Sequence, residues 1–226
     1  SILRQDPNII MIGEIRDDET ARIAVRASIT GHLVLSSLHT NNSLNTIERL
    51  TDMDVERYLL GSSLEGIISQ RLARKVCPEC SIKRPTTDYE RQVFKTVLGK
   101  DVLEMVVANK EGCPKCTHGY KGRLAILEVL VMNEKIKDAI TNGANKNTLR
   151  ELVYTGDVVT LLQDGLNKVV LGETTFEEIL KIENIFVSKA PLIIQDIKEI
   201  QDLNCILNLE NTKTTQCLKE TLREYN

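Results

Sequence analysis

The chain has 226 residues, of which 42% are hydrophobic and 27% charged, and 29 basic against 32 acidic side chains give it a net charge of −3. This composition indicates a folded globular protein with one large domain or two small ones. A slightly acidic chain with only 4% aromatic residues is a poor match to nucleic acid, so no nucleic-acid partner is expected. No apolar run approaches the length of a membrane span, and no secretory signal opens the chain, which predicts a cytoplasmic location.

The first part of the chain alternates short apolar runs with amphipathic segments. This order of strand, helix, strand and helix is typical of an α/β fold with a parallel sheet flanked by helices. Aspartate and asparagine side chains stand where N-caps are expected, and a glycine follows the first helix. The pattern predicts strands at residues 9–12 and 33–38, a helix from Asp17 or Asp18 to about Thr30, and a helix from Asn42 or Ser43 to Leu50.

The rest of the chain is expected to become mainly helical after one further strand. A mixed segment at residues 62–73 leads to a polar region with a single helix at 88–98, and residues 124–132 follow as a strand. Thr175 and Glu178 have the spacing of a capping box, in which each side chain binds the other residue's backbone N–H. Beyond residue 186 the composition predicts one or two amphipathic helices.

Four of the six cysteines form two Cys-Pro-X-Cys pairs, which are Cys77 with Cys80 and Cys113 with Cys116. Each pair makes a tight turn that points two thiolates at one place, and four thiolates suit a tetrahedral Zn²⁺ with no open position for catalysis. The predicted zinc site is therefore structural. His118 lies close in sequence and is expected to be a bystander.

Two of the predicted strands end in polar side chains that can act on a nucleotide. Glu14 follows the first strand and His39 the second, and parallel α/β sheets bind ligands at the carboxyl ends of their strands. A carboxylate there can hold Mg²⁺ through water or orient an attacking water, and an imidazole can contact a terminal phosphate. Taken singly, Glu14 fits a polar turn equally well, and His39 fits a structural histidine.

Several blocks occur together in order, and together they resemble one family. The blocks are Gly-Glu-Ile-Arg-Asp at 13–17, the segment 31–41 that ends in Leu-His-Thr-Asn, and Gln-Arg-Leu at 70–72 just before the first cysteine pair. Later blocks are Gly-Tyr-Lys-Gly-Arg at 119–123 leading to Glu128, and Asp-Gly-Leu at 164–166 leading to Glu178. This order is similar to that of the assembly ATPases of type II secretion and type IV pili, over roughly residues 2–183.

The resemblance implies a partial RecA-like P-loop NTPase domain that uses ATP and Mg²⁺. It implies that Glu14 is the catalytic glutamate and His39 the phosphate sensor. His32, Arg16 and Arg71 are further candidates for nucleotide binding or for a subunit interface, with a surface salt bridge as the alternative for both arginines. It also implies a homo-hexamer at the inner face of the plasma membrane that acts on an inner-membrane platform protein.

The predicted organisation has four parts, and one expected motif is missing. The parts are residues 1–76 for the ATPase core, 77–122 for the zinc insertion, 123–186 for a helical motor subdomain and 187–226 for a helical tail. No Gly-X4-Gly-Lys-Ser/Thr loop occurs in the sequence, so the chain is expected to be a C-terminal fragment that is inactive alone. The alternative is a zinc-stabilised binding module without catalysis. A pilus-retraction ATPase is disfavoured by the cysteine insertion.

Overall fold

A computed structural model describes residue 5, residues 7–156 and residues 158–187 of the chain, the last five by their backbone. In this part the strands are β1 (Ile9–Ile12), β2 (Leu33–Ser36), β3 (Gly66–Val76), β4 (Ile82–Pro85), β5 (Glu104–Val107) and β6 (Tyr120–Val131). The helices are α1 (Asp18–Ile29), α2 (Ser43–Asp52), α3 (Arg57–Ser63), α4 (Asp88–Leu98), α5 (Glu134–Thr141), α6 (Lys146–Tyr154), α7 (Leu161–Val170) and α8 (Phe176–Val187). The predicted tail lies outside these residues, apart from the end of α8.

β1 and β2 are parallel neighbours, as the sequence predicts for an α/β fold, and Ile9 pairs with Leu33 at the start of the ladder. Each strand leads into a helix with a side-chain cap. Asp17 accepts a hydrogen bond from the Thr20 N–H at 2.7 Å at the start of α1, and Asn42 caps α2 in the same way. These local signals explain why both helix starts are predictable from the sequence.

β3 and β6 form a long antiparallel ribbon that the sequence does not predict in full. Ile67 pairs with Leu130 and Ala73 with Leu124, and the register shifts near the end of β3. The segment at 62–73, expected to be mixed, therefore contributes most of β3. Its apolar residues are spread over both faces of the strand, which hides the alternation that would mark it.

Two groups of buried side chains form the core, and the ribbon contributes to both. The first group lies between the ribbon and helices α1, α2, α3, α5 and α6, with Ile67 and Leu130 as the ribbon's share. The second lies between the ribbon and α4, α7 and α8, with Ala73 and Ile126. Because the ribbon contributes side chains to both groups, the two groups do not by themselves define domain boundaries. The boundaries predicted at residues 76, 122 and 186 stay a prediction.

The segment between the cysteine pairs forms a small lobe. β4 and β5 pair antiparallel, and α4 begins at a complete capping box between Thr87 and Glu90. α4 ends at Gly99, whose φ of 67° is the left-handed conformation that glycine adopts without strain. Because all of these signals are local, the helix predicted at 88–98 is confirmed with its bounds.

The C-terminal region is helical as predicted, with one difference at α8. Thr175 accepts a hydrogen bond from the Glu178 N–H at 3.3 Å, which is the first half of the expected capping box. The Glu178 carboxylate instead accepts two hydrogen bonds from Arg74 of β3, so the second half is replaced by an ion pair. No helix in the described residues has both the length and the apolar character of a membrane span.

Candidate catalytic edge and metal centre

The carboxyl ends of β1 and β2 bring Glu14 and His39 into direct contact. The Nε2 atom of His39 lies 3.0 Å from Oε1 of Glu14. The Glu14 side chain is 20% exposed and that of His39 is 87% exposed. The imidazole therefore faces solvent, and the carboxylate is largely covered by the protein. The two residues predicted from separate motifs therefore form one pair, as parallel strand ends require.

Arg16 is the second partner of Glu14. Its guanidinium lies 2.6 Å from Oε2 of Glu14. The hydrogen bond from Arg16 has the largest effect on Glu14 and lowers its pKa. Desolvation opposes this effect, and the charges of Arg16 and His39 each add a smaller lowering, so that the pKa is lowered overall. A carboxylate with a lowered pKa stays ionised at neutral pH, so it is better suited to orienting a water molecule than to keeping the proton that the water loses.

Ser37 fastens the end of β2 to the end of β1. Its hydroxyl donates a hydrogen bond to the Gly13 carbonyl at 2.7 Å, and its own carbonyl accepts one from the Ile15 N–H at 3.0 Å. Glu14 lies between these two bonded residues, so its backbone is held from both sides. No sequence pattern singles out Ser37, because its hydrogen bonds join positions more than twenty residues apart.

Arg71 of β3 reaches the loop that follows His39. Its Nη2 atom donates hydrogen bonds to the carbonyls of Thr40 at 3.1 Å and Asn41 at 2.9 Å. The structure thus brings Arg71 to the predicted edge, with its guanidinium bound to backbone rather than directed at Glu14. A role at a nucleotide or subunit interface stays a prediction for Arg71 and for the exposed Arg16.

His32 lies at the other end of β2. It precedes the strand, whereas His39 follows it, and a strand of four residues is about 10–13 Å long. Its Nδ1 atom is 2.9 Å from the Ala27 carbonyl and 3.1 Å from the Thr30 hydroxyl, which ties the ring to the end of α1. His32 is therefore not placed beside Glu14, and its interface role stays a prediction.

The four cysteines of the two pairs come together in one cluster. The sulfur atoms of Cys77, Cys80, Cys113 and Cys116 all lie within 4.8 Å of one another. Cys77 is 3.9 Å from Cys113, and Cys80 is 3.6 Å from Cys116. Zinc–sulfur bonds of about 2.3 Å in a tetrahedron place sulfur atoms about 3.8 Å apart. The cluster therefore has the donor set and the spacing of a structural zinc site.

The thiols of this cluster differ in how readily they ionise. Burial and the neighbouring thiols raise the pKa of Cys80 to about 12. Burial acts in the same direction on Cys116, but hydrogen bonds outweigh it, above all the one from the Cys113 backbone N–H, and lower its pKa to about 7. Of Cys80 and Cys116, Cys116 is thus the thiol that is more easily deprotonated to receive a divalent ion. His118 is not among the clustered ligands.

The fold is similar to the folds of two solved proteins, a pilus motor and an ATPase. The crystal structure of the pilus retraction motor PilT with bound ADP superposes with a TM-score of 0.53 and is 27% identical, over 80% of this chain and 41% of that one. The Legionella pneumophila ATPase DotB has a similar fold, with a TM-score of 0.55 over 84% of this chain and 41% of that one, at 22% identity.

The chain belongs to the type II/IV secretion system protein family, whose model matches residues 1–181. It is 44% identical over 183 residues to the putative type II secretion system protein E of Escherichia coli K12, which covers 80% of this chain and 36% of that protein. It is 42% identical over 181 residues to the type IV pilus assembly ATPase PilB of Myxococcus xanthus, over 80% of this chain and 32% of that protein. The chain thus spans about a third of the length of these relatives.

Proposed function

We propose that the full-length protein is an ATP-hydrolysing motor subunit that drives type II protein secretion or type IV pilus assembly. The contact of 3.0 Å between Glu14 and His39 at the carboxyl edge of β1 and β2 carries this proposal. Family membership and the relatives named as secretion proteins and as a pilus assembly ATPase support it.

In this proposal Glu14 orients the water that attacks the terminal phosphate of ATP. Its lowered pKa keeps it ionised, and an ionised carboxylate accepts a hydrogen bond from a water or from a water bound to Mg²⁺. His39 is the group that contacts the terminal phosphate, since its exposed ring sits next to Glu14. Mg²⁺ bound together with ATP would neutralise part of the negative charge of the phosphates.

The proposal requires a phosphate-binding loop elsewhere in the full-length protein, and it is supported by the fact that the chain spans only about a third of its relatives' length. The four clustered cysteines hold Zn²⁺ with a structural role. The relatives' names place them in secretion and pilus machines, and we extend this to a homo-hexamer in the cytoplasm, docked on an inner-membrane platform protein.

The test is ATP turnover by the purified full-length protein with Glu14→Gln. We expect a fall in kcat of roughly 10²- to 10³-fold, because glutamine keeps the shape of the side chain but loses the charge that orients water. The matched control is Glu19→Gln, which makes the same change at an exposed position in the first turn of α1. The control should leave kcat within about twofold of the wild type, the normal effect of a remote surface change.

The competing function is a zinc-stabilised binding module that keeps the fold without catalysis. ATP turnover by the wild-type protein distinguishes the motor from the binding module, because a module shows no magnesium-dependent turnover. Turnover that survives Glu14→Gln would instead show that the enzyme uses a different carboxylate.

A further inference from the structure

Side chains of the β3–β6 ribbon, which come from distant parts of the chain, hold the loop that begins at His39. This His39 loop comprises residues 39–43. The Arg71 guanidinium bridges the carbonyls of Thr40 and Asn41 at 3.1 and 2.9 Å. Two hydrogen bonds from one charged group fix both the distance and the orientation of the loop.

A second fastening holds the other end of the same loop. The Glu128 carboxylate of β6 accepts a hydrogen bond from the Ser43 N–H at 3.2 Å, and the hydroxyls of Ser43 and Ser69 lie 3.1 Å apart. Ser43, Ser69 and Glu128 are all buried. Ser69 and Glu128 are direct partners across the ribbon, so this one residue pair of β3 and β6 binds Ser43, the first residue of α2.

Buried polar groups are stable only when their hydrogen bonds are made. Glu128 is 3% exposed, and besides the bond from Ser43 its carboxylate accepts a hydrogen bond from the Tyr154 hydroxyl of α6 at 3.5 Å. Burial, together with the negative charge of Glu128, raises the pKa of Tyr154, so the tyrosine keeps its proton and remains a donor. These hydrogen bonds therefore fix the position of the loop, because a shift of the loop would leave the Ser43 N–H and the Glu128 carboxylate without each other as partners.

We propose that Arg71, Ser69 and Glu128 are positioning residues that hold the His39 loop so that the imidazole faces Glu14. Their effect on catalysis is exerted through the loop. Ser37 fastens the near side of the loop to β1, and the ribbon fastens the far side, so His39 is held between two rigid elements. This proposal rests on the proposed ATPase function and adds residues to its site.

The experiment is a double-mutant cycle in the full-length protein. Arg71→Ala should lower kcat roughly 10- to 100-fold with KM for ATP nearly unchanged, because a displacement of about 1 Å at a catalytic group has this order of effect. With His39→Ala already present, Arg71→Ala should change kcat by less than about twofold, because the group that it positions is absent. A merely structural role would lower kcat by the same factor in both backgrounds, and that result would overturn the proposal.

Two further variants sharpen this cycle. Arg123→Ala removes an arginine from the same ribbon at an exposed position and should leave kcat unchanged. Glu128→Gln keeps an oxygen acceptor for Ser43 and should retain most of the activity, whereas Glu128→Leu should lower kcat as Arg71→Ala does. Equal losses with Gln and Leu would count against positioning through Ser43.

Folding and the parent proposal are checked separately. Zinc content and the thermal midpoint report whether each variant is folded. If the alanine variant does not fold, Arg71→Met replaces it, because methionine keeps a long side chain but has no hydrogen-bond donor for the Thr40 and Asn41 carbonyls. If Arg71→Ala leaves kcat unchanged while His39→Ala lowers kcat to a residual level, the positioning proposal fails and the ATPase function stands. A wild type without turnover refutes the function itself.

Discussion

At the scale of single residues, two glutamates with lowered pKa values serve different purposes. Glu14 is held by Arg16 and His39 at an open edge, where its charge is available to a ligand. Glu178 is held by Arg74 at 2.5 Å and by Lys181 at 3.0 Å, and its side chain is only 9% exposed. The Glu178 charge is therefore used inside the protein, where it joins the start of α8 to β3.

The pair of Arg74 and Glu178 predicts a stability effect that depends on pH. The hydrogen bonds from Arg74 lower the pKa of Glu178 to about 2 from an ordinary value of 4.5. The pair therefore stabilises the fold above about pH 4.5, and the contribution is lost as the pH falls towards 2. Arg74→Met should lower the free energy of unfolding by about 1–2 kcal/mol at pH 7, a range reduced for screening of the half-exposed arginine.

Denaturant unfolding of wild type and Arg74→Met at several pH values measures this effect. The difference between the two proteins should shrink between pH 4.5 and pH 2.5. The matched control is Arg91→Met, which breaks the exposed pair with Asp101 and should lower the free energy of unfolding much less than Arg74→Met does, because solvent screens an exposed pair. A difference for Arg74→Met that is the same at pH 7 and pH 3 would show that it does not come from the charge of Glu178.

At the scale of elements, local signals were sufficient for some helices but not for the ribbon. The capping box of Thr87 and Glu90 lies within four residues and fixes the start of α4. β3 is different, because its partner β6 begins 44 residues after β3 ends and its pairing is nonlocal. Without the register of β6 there is no sequence signal that places Ser69 opposite Glu128.

The packing of α3 on α5 gives a prediction at this scale. A Cβ atom at Gly61 would lie 2.3 Å from the Thr141 hydroxyl and 2.8 Å from the Lys137 carbonyl. The carbonyl belongs to the backbone of α5 and cannot move aside alone, so Gly61→Ala must push the helices apart. We expect a loss of about 1–3 kcal/mol in the free energy of unfolding, the usual effect of overpacking.

Thermal or denaturant unfolding checks this value. The matched control is Gly156→Ala, because a Cβ atom there meets nothing closer than 3.9 Å and the change should be neutral or slightly stabilising. Equal stability of the two variants would mean that α3 and α5 can separate freely.

At the scale of the whole molecule, the cysteine cluster joins the lobe of β4, β5 and α4 to the ribbon. Cys77 follows β3 directly, and its N–H donates a hydrogen bond to the Gly119 carbonyl at 2.8 Å, just before β6. A metal held by the cluster would therefore fasten both ends of the lobe where it leaves the ribbon. This arrangement predicts that metal removal destabilises the lobe first.

Elemental analysis of the purified protein should find one zinc per chain, and Cys80→Ser or Cys116→Ser should abolish its retention. Chelation should lower the thermal midpoint and expose the α4 lobe to proteolysis, since metal binding contributes directly to the stability of small lobes. His118→Ala is the control and should retain zinc, because His118 is not part of the cluster. Full zinc retention by both serine variants would rule out the four-thiol site.

The sequence by itself determined the features whose physics is local or repeated at a fixed spacing. These are the capped helices, the parallel pair β1 and β2, and the two Cys-Pro-X-Cys turns, each of which brings two thiols together. It also placed Glu14 and His39 at one edge, because parallel strands end on the same side of a sheet.

Only the tertiary structure decided which distant residues hold that edge in place. The bonds of Arg71, Ser69 and Glu128 to the His39 loop join positions 26 to 85 residues apart. Arg74 likewise donates a hydrogen bond to the Glu178 carboxylate, 104 residues away in the sequence. This carboxylate would otherwise cap the start of α8. Such contacts depend on strand register and helix packing, which no local pattern contains.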